Sequence, residues 1–415
     1  MSATPRWVTR VCALACALST LLLPATGAVA APVATSLAGV SPAPFPTSTA
    51  APAATDSDTT LYVDPDGSDS DSGSERAPLR TIQRALDEAG PGTTIRLAPG
   101  VYRERLRTVR AGTASAPIRI VGPETGKNPA DRRQATLYGT SRIVSINHSH
   151  IELLGFTIDG QEKLAGRSWP TRSRDVRAFK ESVRDQVADG RLVYVGAADD
   201  SRDITGVRID DMYLTGAGGE CVRLRNNAYG NVVENSTIRF CGMYAKGTSG
   251  DPWHNGEGVY IGTSPKSTGQ PLHKNDQSNR NIVRDNTIQT FGSECFNVKE
   301  NAHDNVFEGN LCSANLEGTD HHGSNIELRG HDNVVRDNVV DDSANWNIKI
   351  QSDSTRYDKG GNSVTDNTLR GAATAALRVK STARQGAICG NTVQAPTLSD
   401  GLSATQRSQA VAPCR

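Results

Sequence analysis

The sequence predicts an all-β solenoid, a single-stranded parallel β-helix, because the C-terminal half of the chain repeats itself. One set of segments is punctuated by asparagine: NVVENSTI (231–238), NIVRDNTI (281–288), NVFEGNLC (305–312), NVVRDNVV (333–340), NSVTDNTL (362–369) and the weaker AICGNTV (387–393). A second set alternates with the first: ECVRLR (220–225), EGVYIG (257–262), ECFNVK (294–299), SNIELR (324–329), WNIKIQ (346–351) and AALRVK (375–380). Such self-similarity is typical of repeat architectures.

The length of the repeat indicates the kind of solenoid. From Asn286 the asparagine recurs after 24, 28, 29 and 24 residues, at Asn310, Asn338, Asn367 and Asn391. A coil of that length, with short strands and no helix, favours a β-helix over a β-sandwich, which needs hairpin turns. Successive coils then stack about 4.8 Å apart. We therefore expect these asparagines to form a side-chain ladder at a sharp bend, with a structural role and no catalytic one.

Composition divides the chain into three regions. Residues 1–31 have the basic start, the apolar stretch and the small-residue cleavage pattern of a secretory signal peptide. Residues 32–58 are rich in Ala, Pro, Ser and Thr, which predicts a disordered linker. Residues 59–415 are predicted to form one solenoid domain, a secreted extracellular monomer. No membrane association is expected, because no other apolar run approaches ~18 residues.

Charge and cysteine content exclude some classes of protein. The 45 basic side chains balance the 45 acidic ones, and loss of the signal leaves a net charge of about −2, which argues against a nucleic-acid partner. Six cysteines follow the signal, and an even number in an exported protein favours disulfides, although many pairings are possible. Proximity along the chain suggests the pairs Cys221 with Cys241, Cys295 with Cys312, and Cys389 with Cys414. Zinc binding is the weaker alternative, because no CxxC pair occurs.

The segment LYVDPDGSDSDSGSERAPLRTIQRALDEAGPGTTIRLAPGVYRE (61–104) predicts a capping helix. Pro78 stands at the expected start of this helix and Gly90 at its end. Its apolar face is formed by Leu79, Ile82, Leu86 and Ala89. This segment resembles the opening of pectate-lyase-like right-handed parallel β-helix proteins, and the resemblance extends through most of 61–395. It implies the right-handed fold but selects no chemistry, because the same scaffold hosts lyases, hydrolases, epimerases and adhesins.

Two insertions interrupt the predicted coils. In residues 161–202 four apolar side chains recur at helical spacing, namely Val176, Phe179, Val183 and Val187. An amphipathic helix is therefore expected to pack on the side of the barrel. The second insertion, residues 263–279, is polar and directly follows the strand that carries Tyr260. Insertions in solenoids concentrate on the binding face.

The second set of strands predicts a cationic surface stripe. Apolar side chains at alternate positions must point inward, so those between them point outward. One outward column reads Arg223, Tyr260, Asn297, Glu327, Lys349 and Arg378, and the next reads Arg225, Gly262, Lys299, Arg329, Gln351 and Lys380. Seven of these twelve positions are Arg or Lys, which favours the binding of a polyanion. The alternative is a solvated strand face with favourable charges.

Three glutamates, Glu220, Glu257 and Glu294, stand in register at the start of these strands. Stacked carboxylates cannot all stay ionised cheaply without cations. Three explanations are open: Ca²⁺ binds there, neighbouring Arg and Lys side chains neutralise the carboxylates, or at least one pKa is raised. Ca²⁺ accepts carboxylate oxygens and is plentiful outside cells, so it is the predicted cofactor.

Two segments next to these strands supply aromatic and imidazole groups. GDPWHNGEGVYIG (250–262) carries Trp253, His254 and Tyr260, and GTDHHG (318–323) carries His321 and His322. The aromatic rings are predicted to stack on a sugar, and the histidines to exchange protons. Loop decoration is the alternative. DHHG is superficially similar to the GHG motif of polygalacturonases, but the NTD and DD motifs that should precede it are missing.

A cationic groove on an exported β-helix predicts an acidic, uronate-containing polysaccharide as substrate. Lys299 and Arg329 share a column on successive coils, within ~5–7 Å of each other. The arginine is expected to lower the pKa of the lysine, which would make Lys299 the base of a β-elimination. Asn297 and Glu294 are placed to accept a proton, bind an ion or orient the uronate.

A further resemblance concerns Arg329. NIELRGHDNVVRDNVV (325–340) resembles the strand bearing the catalytic arginine in the chondroitinase B and alginate lyase branch, and the match falls on Arg329. The resemblance implies a polysaccharide lyase. The predicted catalytic residues are Lys299, Arg329, Asn297, Glu327 and His254, and the predicted substrate-binding residues are Arg223, Arg225, Trp253, Tyr260, Lys349, Lys380 and His322. A glycoside hydrolase using Glu257, Glu294 or Glu327, a glycan-binding wall protein and an epimerase remain alternatives.

Overall fold

The repeats fold into three parallel sheets wound as one right-handed β-helix. The structure, a computed structural model, describes residues 59–123, 133–197, 203–244, 256–265, 276–313, 323–353 and 355–414, all within one compact unit. The predicted signal peptide 1–31 and linker 32–58 lie outside these residues. Each asparagine-punctuated segment contributes two strands with a bend between them, so a full coil has three strands.

Within the described residues, the strands of each sheet stack in parallel from the N-terminal to the C-terminal end. The first sheet consists of Thr60–Val63, Thr94–Leu97, Ile118–Val121, Ile151–Leu154, Arg208–Asp210, Val232–Glu234, Ile282–Arg284, Val306–Glu308, Val334–Arg336, Ser363–Thr365 and Ile388–Cys389. The second sheet consists of Gly100–Arg103, Ala135–Tyr138, Thr157–Asp159, Tyr213–Thr215, Thr237–Cys241, Thr287–Thr290, Leu311–Ser313, Val339–Asp341, Thr368–Arg370 and Thr392–Gln394.

The third sheet carries the predicted site. It consists of Leu106–Arg107, Ser141–Ile146, Gly190–Val195, Val222–Leu224, Val259–Ile261, Phe296–Val298, Ser324–Leu328, Trp346–Ile350, Ala375–Val379 and Ser399–Asp400. A short pair, Ile204–Thr205 with Ala228–Tyr229, adds a fourth small sheet. The described helices are Ile82–Glu88, Ser173–Val183 and Ala404–Val411, with 3₁₀ turns at Glu162–Leu164 and Thr355–Tyr357. None of them is long and apolar enough to cross a membrane.

The asparagines form the predicted ladder at the bend between the first and second sheets. Each side-chain amide donates to the amide oxygen of the next coil at 3.0–3.1 Å, through Asn286, Asn310, Asn338, Asn367 and Asn391. The residue before each rung has a positive φ, for example 58° at Asp337 and 64° at Gly309. Asp and Gly tolerate this left-handed conformation, which turns the chain sharply. A second ladder, which the sequence analysis did not assign, links Asn231, Asn281, Asn305, Asn333 and Asn362.

Helices close both ends of the barrel. The N-terminal helix buries Ile82, Ala85 and Leu86 but begins later than predicted, because the hydroxyl of Thr81, and not Pro78, caps it by accepting from the Arg84 amide. At the other end Ser403 and Gln406 form a capping box before the helix Ala404–Val411. The Ala410 carbonyl of this helix accepts a hydrogen bond from Asn391 Nδ2, the last rung of the first ladder.

The predicted helix of the first insertion is Ser173–Val183. Val176 and Val183 are buried in a satellite cluster with Phe240 and Phe291 of the second sheet region. The predicted boundary 161–202 is too long, because Gly190–Val195 within it is a strand of the third sheet. Of the second insertion, 263–279, residues 266–275 lie outside the described part of the chain.

Three disulfides fix the turns, and they are the predicted pairs. Cys221 bonds Cys241 and Cys295 bonds Cys312, so each bridge joins the residue before a third-sheet strand to a second-sheet strand one coil further along. Cys389 bonds Cys414 and ties the C-terminal segment to the last coil. The first two bridges directly follow Glu220 and Glu294, so they anchor the backbone of the glutamate column.

Candidate active site

Register on the third sheet follows the sequence alignment. Arg223 pairs with Tyr260, Tyr260 with Asn297, Asn297 with Glu327, and Glu327 with Lys349. These five side chains point away from the barrel core but are at most 8% exposed, so the alternative of a solvated strand face does not describe them. They bury one another, through cation–ring and cation–carboxylate contacts that a column alignment does not predict.

Tyr260 lies between two cations. Arg223 of the preceding coil places Cζ 4.4 Å from the centre of the ring, and Lys299 of the following coil places Nζ 4.6 Å from it. Since one contact comes from each side of the stack, both ring faces are covered. Tyr260 therefore cannot act as the predicted stacking platform for a sugar.

Glu220 is neutralised by arginine. Its carboxylate is fully buried and contacts Arg191 Nε at 2.5 Å and Arg223 Nη1 at 3.0 Å. Burial alone would raise the pKa of Glu220, but the charges of Arg223 and Arg191 hold it below its ordinary value. Arg191 lies three residues before Tyr194, just as Glu220 lies three residues before Arg223, the register partner of Tyr194. Sequence analysis missed Arg191 because it assigned this strand to an insertion.

Glu257 and Glu294 are also buried, in the same column as Glu220. Burial and the neighbouring charge of Glu220 raise the pKa of Glu257 to about 7, although Lys299 opposes the shift. Glu294 accepts from Ser293 Oγ and, at 3.1 Å, from Asn297 Nδ2. Of the three explanations for the glutamate column, neutralisation by arginine thus holds at Glu220 and a raised pKa holds at Glu257.

The predicted Ca²⁺ site does not fit these residues. A carboxylate held by two guanidinium groups is not available to a divalent cation, and Glu220 is in that state. Among the described residues, no group of three or more His, Cys, Asp or Glu side chains is arranged to hold a metal ion.

Lys299 is a protonated cation, not the predicted base of lowered pKa. Burial and the charge of Arg329 lower the pKa of its ammonium group, but Tyr260, Glu257 and Glu327 together raise it above the ordinary value. The expectation failed because it counted only the neighbour in the same column. The lysine side chain is 7% exposed.

Arg329 is surrounded by carboxylates. Its guanidinium contacts Asp353 at 2.8 and 2.9 Å, Glu327 at 3.2 Å and Glu300 at 3.6 Å. Glu327 also contacts Lys349 Nζ at 2.9 Å and accepts from Asn297 Nδ2 at 3.4 Å. Sequence analysis missed Glu300 and Asp353, since they lie beyond the strand ends, where alternation no longer predicts direction.

The remaining predicted residues divide into two groups. Arg225 is half-buried and donates to Thr263 Oγ1 at 2.5 Å, while Lys380 is exposed. Arg378, half-buried, covers the Trp346 ring at 4.1 Å. The other predicted residues lie outside the described part of the chain: Trp253, His254, His321 and His322.

Two solved structures share this architecture across most of the chain. An alginate lyase from Paenibacillus sp. str. FPU-7 is 20% identical with a TM-score of 0.55, over 77% of this chain and 95% of that one. Pectate lyase Pel9A is 14% identical with a TM-score of 0.51, over 83% of this chain and 79% of that one. This chain has the pectate-lyase-like right-handed parallel β-helix fold.

Sequence similarity to known proteins is confined to shorter parts of this β-helix. A family described as a protein of unknown function (DUF1565) matches residues 65–151, the N-terminal cap and first coils. Pectate lyase PEL9 of Emericella nidulans is 41% identical over 83 residues, which span 17% of this chain and 20% of that protein. The chain thus matches about a fifth of the length of PEL9, and the site on the third sheet must be interpreted from its own geometry.

Proposed function

We propose that the chain is a secreted polysaccharide lyase that cleaves a uronate-containing polysaccharide by β-elimination on the outer face of the third sheet. The observation that carries the proposal is the stack in which Arg223 and Lys299 cover the two faces of Tyr260. β-Elimination needs a cation beside the uronate carboxylate and a group that moves one proton. This stack supplies both.

Tyr260 is the proposed proton carrier. Its hydroxyl oxygen takes the proton from the carbon α to the uronate carboxylate. The electron pair of that C–H bond forms the carbon–carbon double bond, and the bond from the β carbon to the glycosidic oxygen breaks. Tyr260 passes its own hydroxyl proton to the departing oxygen in the same step, so its side chain ends unchanged and no water is consumed. Arg223 and Lys299 lie over the ring and stabilise partial negative charge that develops on the phenol oxygen during the transfer.

Lys299 is the proposed partner of the uronate carboxylate. Because its pKa is raised, its ammonium group stays charged at neutral pH and can neutralise the carboxylate as the α carbon becomes more acidic. We propose that a substrate contacts the exposed parts of these residues, 5% of Tyr260 and 7% of Lys299. Arg329, whose donors are directed at three carboxylates, is assigned to positioning instead of proton transfer.

The comparisons support a lyase at the level of fold. The two solved structures with the same architecture are titled alginate lyase and pectate lyase, and the local sequence relative is a pectate lyase. The three disulfides and the signal-like residues 1–31 support secretion.

The test is a panel of uronate polymers, namely polygalacturonate, alginate and a glucuronan, incubated with the purified full-length protein. Ultraviolet absorbance of the unsaturated product and the number of reducing ends are followed together. We expect absorbance and reducing ends to rise in parallel on at least one polymer. Reducing ends without absorbance would contradict β-elimination, and neither signal would indicate a glycan-binding protein.

A glycoside hydrolase is a second candidate, favoured by one observation. The pKa of Glu257, raised to about 7, is the value that a general acid needs near neutral pH, and Glu294 lies in the same column. In that case Glu257→Gln would abolish the release of reducing ends, while Tyr260→Phe would leave it in place.

A further inference from the structure

A cavity of about 450 Å³ lies beside the N-terminal end of the third sheet, several coils before Tyr260. Its walls are two turns between the second and third sheets and the two flanks of the first insertion: 103–105, 138–140, 160–163 and 185–188. Arg105 directly precedes the strand Leu106–Arg107, and Thr140 directly precedes Ser141–Ile146. We call this space the Tyr138 cavity, after the aromatic residue that lines it.

The wall that the insertion supplies is held by Gln161. Its side chain is buried, donates to the Ala188 carbonyl at 2.8 Å and accepts from the Ala188 amide at 2.9 Å, so it ties the two flanks together. Arg103 donates to Glu162 at 2.6 Å and joins the first turn to the same flank. The Tyr138 cavity is therefore preformed, and its volume lies within the range of about 300–1,000 Å³ that ligand sites occupy.

The side chains of the Tyr138 cavity suit a ligand with both a carboxylate and hydroxyl groups. Arg105 and Lys163 are exposed, and neither side chain has an ion-pair or hydrogen-bond partner among the described residues. Asp185, also exposed, can accept from hydroxyl groups, and half-buried Tyr138 adds a ring of the kind that packs against sugars. The carboxylate of Glu104 is already bound to two backbone amides of the capping helix.

Strand order places the Tyr138 cavity within reach of a polymer bound at Tyr260. Ser141–Ile146 is the second strand of the third sheet and Val259–Ile261 is the fifth. Since neighbouring strands are ~4.8 Å apart, three steps separate the two positions by ~14 Å along the axis. An extended polysaccharide of several sugar units spans that distance.

We propose that the Tyr138 cavity is a remote subsite for one uronate sugar of the polymer, with Arg105 and Lys163 as partners of its carboxylate and Asp185 as acceptor of its hydroxyl protons. The inference rests on the proposed function for the acidic character of the polymer. It adds a point of attachment away from proton transfer, so it should strengthen the binding of long chains in the ground state and the transition state alike.

The test compares Arg105→Ala/Lys163→Ala with the parent protein. Binding of polygalacturonate, alginate and glucuronan is measured by titration calorimetry in full-length Tyr260→Phe, and kcat and KM are measured with Tyr260 in place. We expect Kd and KM for the polymer to rise about tenfold, as for the loss of two exposed charge contacts, while kcat stays the same. Oligomers too short to span ~14 Å should be cleaved with equal KM by both proteins.

A matched control separates the cavity from net charge. Arg76→Ala/Arg80→Ala removes the same charge from exposed positions before the capping helix, and it should keep the parent Kd. The exchange Arg105→Lys/Lys163→Arg keeps both charges at the cavity and should retain most of the affinity. All three double variants should melt as the parent does, because the changed side chains are exposed.

The outcomes distinguish the subsite from the lyase. An acidic polymer that is bound but not cleaved, and is bound more weakly by Arg105→Ala/Lys163→Ala, would remove the lyase and support the subsite. Equal Kd in that variant and the parent would overturn the subsite even if the polymer is cleaved. An equal loss of affinity in Arg76→Ala/Arg80→Ala, or an equal rise of KM on the short oligomers, would also overturn it. If the parent binds none of the three polymers, both proposals are wrong.

Discussion

The buried carboxyl of Glu257 makes the stability of the coil depend on pH. Its pKa rises from the ordinary 4.5 to about 7 on folding, so between these values the folded protein holds a proton that the unfolded chain has released. The stabilisation is fully present below about pH 4.5 and is lost as pH rises through about 7, at up to about 1.4 kcal/mol per pH unit.

The isosteric variant Glu257→Gln removes this titration. Denaturant unfolding at a series of pH values should show the wild-type free energy of unfolding falling between about pH 4.5 and 7 relative to the variant. Above that window the difference between the two proteins should stay constant. If the free energies of unfolding of both proteins change in parallel between about pH 4.5 and 7, Glu257 is ionised in the folded state over that range.

Two conservative substitutions test the roles of Tyr260 and Lys299 separately. Tyr260→Phe keeps the ring between its cations and removes only the hydroxyl, so the fold should remain and kcat should fall by about 10²–10⁴-fold. Lys299→Arg keeps the positive charge, so it should retain far more activity than Lys299→Met. The check is kcat on the polymer that the wild-type protein cleaves, with Lys380→Ala, which should keep the wild-type kcat, as the control. Wild-type kcat in Tyr260→Phe would remove the tyrosine from the mechanism.

Each asparagine rung joins three neighbouring segments. Asn338 donates to Asn367 and to the carbonyls of Phe307 and Arg336, and its oxygen accepts from the backbone and side chain of Asn310. Asn338→Ala leaves several of these groups buried and unsatisfied, so the free energy of unfolding should fall by about 2–4 kcal/mol. Gln394→Ala, at an exposed position of the second sheet, is the control and should change it by about 0.5 kcal/mol or less. Equal effects of the two would argue against the ladder as a source of stability.

The ladder also shows why much of the fold could be predicted from the sequence. A repeating asparagine specifies one bend per coil, and alternating apolar residues specify which side chains face the core, so strand register followed directly. The capping box of Ser403 and Gln406 was a readable signal for the C-terminal helix that the prediction did not use. The second ladder was likewise visible in the first letter of each repeat.

The candidate site was less predictable because its partners are set by side-chain reach. Alternation placed Tyr260, Lys299 and Arg329 on one face, but it did not predict that the face would be buried. Glu300 and Asp353 lie past the strand ends, and both change the environment of Arg329. The direction of the Lys299 pKa shift likewise depended on three neighbours, all of them outside its column.

Electrostatics over the whole β-helix predicts how a polymer is held. The chain has no net charge, yet Arg225, Arg329, Arg378 and Lys380 remain at least partly accessible on one face, spread over the coils from Val222–Leu224 to Ala375–Val379. Coils repeat every ~4.8 Å, so these cations span several sugar units of an extended polyanion. These cations are expected to bind the substrate with equal strength in its ground state and in the transition state.

Lys380→Ala should therefore raise KM several-fold while kcat stays the same, because uniform binding is lost and the reacting groups are untouched. The unfolding free energy should change by about 0.5 kcal/mol or less, since the side chain is exposed. Raising ionic strength from about 0.1 M to about 1 M shortens the Debye length from about 10 Å to about 3 Å, so wild-type affinity for the polyanion should fall and the difference between the two proteins should shrink. A neutral polysaccharide should not compete at either salt concentration. Binding that ignores salt, or competition by the neutral polymer, would mean that shape and hydrogen bonds, and not these cations, select the substrate.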